Sequence, residues 1–121
     1  MSGFFAVSLD LLCIAGFDGY FKRLNPAWTT GLGWTLEELE ARPFLDFVHP
    51  DDRAATQAEV GRLAEGRETI FFENRYLHRD GSYCRLQWNA RQALGVQQIY
   101  ATARDVTRQR RGDRRSWARE K

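Results

Sequence analysis

The side chains best suited to chemistry are two cysteines, two histidines and a pair of adjacent aspartates. Cys13 and Cys84 lie far apart in the sequence, each inside an apolar segment. Two cysteines alone, with this separation, do not form a zinc site, an iron-sulfur site or a disulfide framework. We therefore expect no metal and two free thiols in a reducing cytoplasm.

His49 and the Asp51-Asp52 pair share one segment, in which Pro50 suits the first turn of a helix. Carboxylates at a helix start interact favourably with the helix dipole, which explains both aspartates without catalysis. His49 is then a capping or turn residue, and His78 lies at the end of a strand. The spacing suggests no Ser-His-Asp, Cys-His or paired-carboxylate site, so we expect that the domain is not an enzyme.

Length and charge limit the functional classes. The chain has 121 residues with 43% hydrophobic and 13% aromatic content, which suits one domain with a sizeable core. Of the net charge of +2, residues 108–121 carry +5 and the remainder −3. A solvated, frayed helix explains so short a basic run, and we assign it no nucleic-acid role. No apolar run approaches the roughly 18 residues of a membrane span, so we expect a soluble domain without membrane insertion.

The elements that position these groups centre on residues 69–93, where two apolar-rich segments meet at Asp80-Gly81. Asp-Gly between such segments predicts a tight β-hairpin. Because side chains alternate along a strand, one face of the hairpin should meet the core and the other solvent or a partner. The predicted inner face comprises Ile70, Phe72, Asn74, Tyr76, Cys84, Leu86, Trp88 and Ala90.

A shorter hairpin precedes it, with strands at residues 11–16 and 20–25 around another Asp-Gly turn. Asn25 then suits the N-cap of a short helix that Gly31 and Gly33 end. Thr35 and Glu38 have the spacing of a capping box, which starts a second short helix.

A longer helix is expected to run from Pro50 to Gly66, with alanines on its inner side. Glu38 and Arg53 are the one candidate charge pair for joining the second helix to this one, and the alternative is two independent surface charges that contribute almost nothing. Alternation over residues 96–107 predicts a fifth strand.

Six stretches along the chain form an ordered set of motifs: Leu24-Asn25-Pro26-Ala27-Trp28, Leu32-Gly33-Trp34-Thr35-Leu36-Glu37-Glu38-Leu39, Phe47-Val48-His49-Pro50-Asp51-Asp52-Arg53, Arg75-Tyr76, Arg79-Asp80-Gly81-Ser82-Tyr83 and Ala103-Arg104-Asp105-Val106-Thr107. In this order and spacing, they resemble the motifs of the PAS domain, in its bacterial sensory-box type, over residues 4–107. We expect a 1–10 N-terminal arm or short helix, an 11–107 PAS domain and a 108–121 basic outgoing linker or helix. The abrupt ends are those expected of a domain cut from a longer protein.

The resemblance implies an α+β fold: a five-stranded antiparallel sheet with helices over one face, enclosing a pocket. PAS domains are non-catalytic sensory and dimerisation modules upstream of histidine kinases, diguanylate cyclases and phosphodiesterases. The polar candidates for binding a ligand here are Asn74, Tyr76 and Trp88, although the same side chains can equally belong to a filled core. The pocket candidates are Trp28, Phe44, Val48, Val60, Phe72, Asn74, Tyr76, Leu86, Trp88 and Ala101.

Two familiar cofactors of the family are disfavoured. The flavin-binding branch carries an Asn-Cys-Arg-Phe motif before the long helix, and nothing similar occurs between Gly33 and Asp52. The haem-binding branch ligates iron through a histidine inside that helix, whereas residues 54–66 contain none. The identity of any ligand stays open.

Signal output has two predicted routes. In PAS proteins an Asp-x-Thr at the end of the last strand links the sheet to the outgoing helix, and Asp105 and Thr107 match it. The outward sheet face carries aromatic residues that a monomer does not need, which predicts a homodimer. The predicted dimer-face residues are Phe4, Phe5, Phe71, Tyr83 and Tyr100.

Two functional hypotheses follow. The first is a cytoplasmic, ligand-sensing input domain, favoured in a sensor histidine kinase with its output domain in the same chain. The second is a ligand-free dimerisation and relay module of a diguanylate cyclase or phosphodiesterase.

Overall fold

A computed structural model describes residues 9–93 and 95–107. The predicted arm, apart from residues 9 and 10, and the predicted outgoing helix at 108–121 lie outside the described residues. These two predictions therefore stay predictions.

Five antiparallel strands form one sheet: β1 (Leu11–Gly16), β2 (Phe21–Leu24), β3 (Thr69–Leu77), β4 (Tyr83–Gln92) and β5 (Gln98–Asp105). Their spatial order is β2-β1-β5-β4-β3, so that β2 and β3 are the edges. Both predicted Asp-Gly turns are present, with Gly19 and Gly81 at φ of 94° and 95°, values that glycine adopts without strain. The five-stranded antiparallel sheet is confirmed.

The helical segments lie between β2 and β3: α1 (Ala27–Leu32), α2 (Leu36–Glu40) and α3 (Arg53–Ala64), with 3-10 turns at Phe44–Phe47 and Pro50–Asp52. Gly33 ends α1 in the left-handed conformation, and the predicted capping box starts α2. Pro26, not Asn25, is the N-cap of α1. The Asn25 side chain instead joins α1 to the first strand, because its Oδ1 accepts from Leu12 N at 2.9 Å.

The core is an aromatic cluster around Trp28, which is fully buried. Its ring lies 5.0 Å from that of Phe21, 5.8 Å from that of Tyr76 and 6.0 Å from that of Trp88. Trp28 Nε1 also donates to Leu12 O at 3.0 Å. Each such aromatic pair adds about 1 kcal/mol beyond its buried area, so the cluster fixes α1 against the sheet.

The inner side of α3 differs from the prediction. Its alanines at 54, 55, 58 and 64 are exposed, and the helix packs on the sheet through Thr56, Val60 and Leu63. The reason is polar: Thr56 accepts a hydrogen bond from Asn74 on β3, and Glu59 accepts one from Thr69. These two bonds orient the helix, so that its alanines face outward.

The predicted pairing of Glu38 with Arg53 is wrong. Glu38 pairs with Arg79 in the turn after β3, and Arg53 Nε donates to Val48 O at 3.0 Å. Arg79 N donates to Leu32 O at 2.8 Å, which brings the turn beside the end of α1 and within reach of Glu38.

The predicted face of Ile70 is also wrong. Thr69 pairs with Ala90 and Phe72 with Trp88, so Ile70 and Phe71 together lie opposite one residue, Asn89. This β-bulge leaves Ile70 and Phe71 64% and 67% exposed. Phe71 has a φ of 58°, which is uncommon for a residue other than glycine.

Candidate functional site

A cavity of about 70 Å³ lies between the inner sheet face and the helices. Of the ten predicted pocket residues, Trp28, Val48 and Leu86 are buried elsewhere in the core. The other seven lie in the cavity wall: Phe44, Val60, Phe72, Asn74, Tyr76, Trp88 and Ala101. The wall also contains side chains absent from the predicted pocket set: Cys13, Ala15, Phe21, Thr56, Glu59, Leu63, Thr69, Ala90 and Ile99.

Two of the three predicted polar groups bond to protein. Trp88 Nε1 donates to Asn74 Oδ1 at 2.8 Å, and Asn74 Nδ2 donates to Thr56 Oγ1 at 3.0 Å. The Thr56 hydroxyl in turn donates to Asp52 O at 2.8 Å. This chain of hydrogen bonds crosses from β4 through β3 to the start of α3. Asn74 and Trp88 therefore hold the wall of the cavity together.

The Tyr76 hydroxyl has a different environment. Every fully enclosed side-chain nitrogen or oxygen in the described part of the chain has a hydrogen-bond partner. Within residues 9–93 and 95–107 the Tyr76 hydroxyl has none, so it opens on the cavity. Burial, and then the nearby Cys13, raise the pKa of Tyr76 well above its usual value. Burial also raises the pKa of Cys13 to about 12. Both groups are therefore neutral at pH 7.

Glu59 is the one charged side chain among the described cavity-wall residues. Its Oε2 accepts from Thr69 Oγ1 at 2.7 Å, and its Oε1 accepts from Arg62 Nη2 at 2.7 Å. Burial raises the pKa of Glu59, but the bonds from Thr69 and Arg62 outweigh it, so the pKa lies below its usual value. The carboxylate is charged at pH 7 and fully engaged. Sequence reasoning missed Glu59 and Thr56 because polar residues on an exposed helix usually face solvent.

The predicted exit residues meet at the end of the sheet. Thr107 N donates to Asp105 Oδ1 at 2.9 Å, and Thr107 Oγ1 accepts from Arg85 N at 2.7 Å. Val106 N donates to Arg85 O at 2.9 Å. Burial, and then Asp105, raise the pKa of the Cys84 thiol to about 11. The start of the outgoing segment is thereby attached to β4 as well as to β5.

The predicted dimer face is accessible where the structure describes it. Phe71, Tyr83 and Tyr100 are all exposed, whereas Phe4 and Phe5 lie outside the described residues. The Tyr83 ring contacts that of His49 at 4.7 Å.

His49 has the turn role predicted for it, since its Nδ1 accepts from Asp51 N at 3.1 Å. Over the described ranges, no three His, Cys, Asp or Glu side chains gather as a metal site would require. In the same ranges, no helix has both the length and the apolar character needed to cross a membrane.

Comparison with known proteins agrees with this fold. Three solved structures illustrate the likeness. A domain of the sensory box sensor histidine kinase/response regulator from Geobacter sulfurreducens is 22% identical, with a TM-score of 0.76 over 86% of this chain and 90% of that one. The N-terminal domain of a diguanylate cyclase with PAS/PAC sensor from Marinobacter aquaeolei is 18% identical, with a TM-score of 0.71 over 84% and 98%. PAS-B of Drosophila melanogaster Cycle, with bound ethylene glycol, is 20% identical, with a TM-score of 0.66 over 78% and 96%.

The curated proteins gave no match. The sequence profile of the PAS fold matches residues 21–94, which is more than half of the chain. These residues contain both strands of the long hairpin, β3 and β4, the helices α1 to α3 and most of the cavity wall. The sequence match and the likeness of the fold to solved PAS domains point to the same family. The chain belongs to the PAS family of sensory, generally non-catalytic domains.

Proposed function

We infer that this PAS domain is the ligand-sensing input of a bacterial signal-transduction protein, with a sensor histidine kinase as the favoured output in the same chain. The observation that carries the proposal is the Tyr76 hydroxyl, a buried polar group that opens on an apolar cavity without a partner in the described chain. Ligand sites typically combine apolar walls with a few placed polar groups. The free thiols of Cys13 and Cys84 fit a cytoplasmic location.

Cavity size and lining define the ligand class. A volume of about 70 Å³ holds about five water-sized groups, since one water needs roughly 10–15 Å³ on this scale. Cys13, Phe72, Ala101 and Ile99 in the wall favour an apolar body. The Tyr76 hydroxyl favours one hydrogen-bonding group. The proposed ligand is therefore a small uncharged molecule, such as a short-chain alcohol or diol. The ethylene glycol in the Cycle structure has this chemistry, although that observation belongs to Cycle.

A short path joins the cavity to the exit junction. Trp88 pairs with Ala103 and Leu86 pairs with Asp105, so cavity wall and junction lie two residues apart on β4 and β5. The proposed signal is a displacement of β4 that changes the hydrogen bond from Arg85 N to Thr107 Oγ1. The proposed output includes a homodimer through the outer sheet face.

A second candidate is a ligand-free dimerisation and relay module of a diguanylate cyclase or phosphodiesterase. The bonds among Trp88, Asn74 and Thr56 favour it, because they leave only Tyr76 for recognition. The cavity is also far below the roughly 300–1,000 Å³ of a pocket for a drug-sized ligand.

A direct test is native mass spectrometry and the visible spectrum of the purified protein, followed by titration with ethylene glycol and 1-propanol. Chemical-shift changes at the Trp88 indole N–H, observed by NMR, are the expected result. Tyr76→Phe should weaken binding, because the apolar wall is kept and the hydroxyl is lost. Ala101→Val should also weaken it, because the added methyl groups fill the cavity. Shifts that are equal in the wild type and in Ala101→Val would contradict the ligand-sensing proposal.

A further inference from the structure

One wall of the cavity comes closer to solvent than the others. Most of its residues are buried, and four are partly exposed: Glu59 and Val60 on α3, Phe72 on β3 and Ala90 on β4. The thinnest part of the wall is therefore the seam between the C-terminal half of α3 and the first half of β3.

A hydrogen bond spans this seam. Thr69, only 3% exposed, is the first residue of β3, and its hydroxyl donates to Glu59 Oε2 at 2.7 Å. Arg62, one turn further along α3, holds Oε1 at 2.7 Å and so keeps the carboxylate in place. Both carboxylate oxygens are occupied, one by the sheet and one by the helix.

The β-bulge puts Thr69 at this position. With regular pairing from Phe72 and Trp88, Ile70 would lie opposite Ala90 and point into the core. The extra residue instead places Thr69 opposite Ala90 and turns Ile70 and Phe71 outward. Phe71 takes a φ of 58°, and its backbone N–H donates to Asn89 Oδ1 at 2.9 Å. A backbone conformation unfavourable for an aromatic residue is thus retained where it delivers a hydroxyl to Glu59.

We propose that the Thr69–Glu59 hydrogen bond is a latch on the cavity, and that small molecules enter and leave between α3 and β3 when it breaks. The inference rests on the proposed ligand cavity and deepens it by naming the entrance and the residues that control it. Loss of the latch leaves Thr56, Val60 and Leu63 holding α3 to the sheet, so local opening requires no global unfolding.

The test measures opening without any ligand. The Trp88 indole lies in the cavity wall and its N–H donates to Asn74 Oδ1, so the hydrogen-exchange rate of this N–H, followed by NMR, reports access of water. Thr69→Val keeps the side-chain shape and removes the hydroxyl. Urea unfolding gives the loss of global stability in this variant, and hence the acceleration of exchange that global unfolding alone would cause. The observed acceleration at the Trp88 indole N–H should exceed that value by at least about ten-fold. Thr69→Ser should restore the wild-type rate.

Glu65→Ala is the matched control, because that exposed carboxylate lies just beyond α3 and pairs only loosely with Arg67, at 3.7 Å. It should leave Trp88 exchange unchanged. If Trp88 exchange in Thr69→Val accelerates only as much as the loss of global stability accounts for, the latch proposal is wrong. Faster exchange in Thr69→Val without any ethylene glycol binding to the wild type would confirm the latch and contradict the proposed ligand function.

Discussion

Replacing Asn74 by leucine tests whether the polar chain across the cavity wall stabilises the domain. The change removes two hydrogen bonds, from Trp88 Nε1 at 2.8 Å and to Thr56 Oγ1 at 3.0 Å, while leucine keeps most of the side-chain volume. Trp88 is 8% exposed, so its indole N–H becomes a nearly buried donor without an acceptor. That costs about 1–3 kcal/mol, and the lost bond to Thr56 adds about 1 kcal/mol.

We therefore expect the free energy of unfolding to fall by about 2–4 kcal/mol. In a domain of this size, the corresponding fall in Tm is about 10–20 °C. Urea unfolding followed by circular dichroism measures the first quantity and a thermal melt the second.

Trp88→Phe supplies the control, because phenylalanine has no N–H to leave unpaired. A double-mutant cycle compares the loss of unfolding free energy caused by Asn74→Leu in two backgrounds. This loss should be smaller in Trp88→Phe than in the wild type, by at least about 1 kcal/mol. Additive losses, or a cost of Asn74→Leu below about 0.5 kcal/mol, would refute the reasoning.

Three further predictions concern the exit junction, the acid stability and the outer face. Asp105→Ala removes the acceptor of Thr107 N at an exposed site, so Tm should stay nearly unchanged while an attached output domain loses its response; a normal response in a signalling assay would count against the relay role. The hydrogen bond from Arg75 is the main cause of the lowered pKa of Asp52 in the folded domain. Its stabilisation is therefore fully present above the pKa of an unfolded aspartate, about 4, and is lost as the pH falls through the lower pKa of Asp52 in the folded state. Melts between pH 7 and pH 2 should therefore show a shallower acid loss in Asp52→Asn, and an unchanged acid slope would contradict this assignment. Light scattering should find a homodimer in the wild type and a monomer in Tyr100→Glu, since Tyr100 is 47% exposed on the outer face; a monomeric wild type at high concentration would remove the dimer.

The sequence predicted best those features that depend on neighbouring residues. Asp80-Gly81 fixed the register of the long hairpin, so that Asn74, Tyr76, Leu86 and Trp88 face inward as alternation requires. The capping box at Thr35 and the glycine end of α1 are equally local, and both are present.

The errors arise where a distant residue decides the outcome. Ile70 is suited to the core, but at the bulge the backbone N–H of Phe71 donates to Asn89 Oδ1 on the next strand, a contact that alternation does not reveal. Glu38 pairs with Arg79, a partner that only the return of the chain after β3 brings near. On α3, Glu59 has the polarity of a solvent-facing residue, and its partner Thr69 belongs to another element.

The aromatic core gives the domain a label-free optical reporter. Trp28 and Trp88 have ring centroids 6.0 Å apart, both are buried, and the Trp88 indole lies in the cavity wall. At this separation the two indoles interact electronically, so a molecule that enters the cavity should alter both tryptophan emission and near-ultraviolet circular dichroism. Candidate signals can then be screened by spectroscopy on the unmodified protein, before the output that it controls is known.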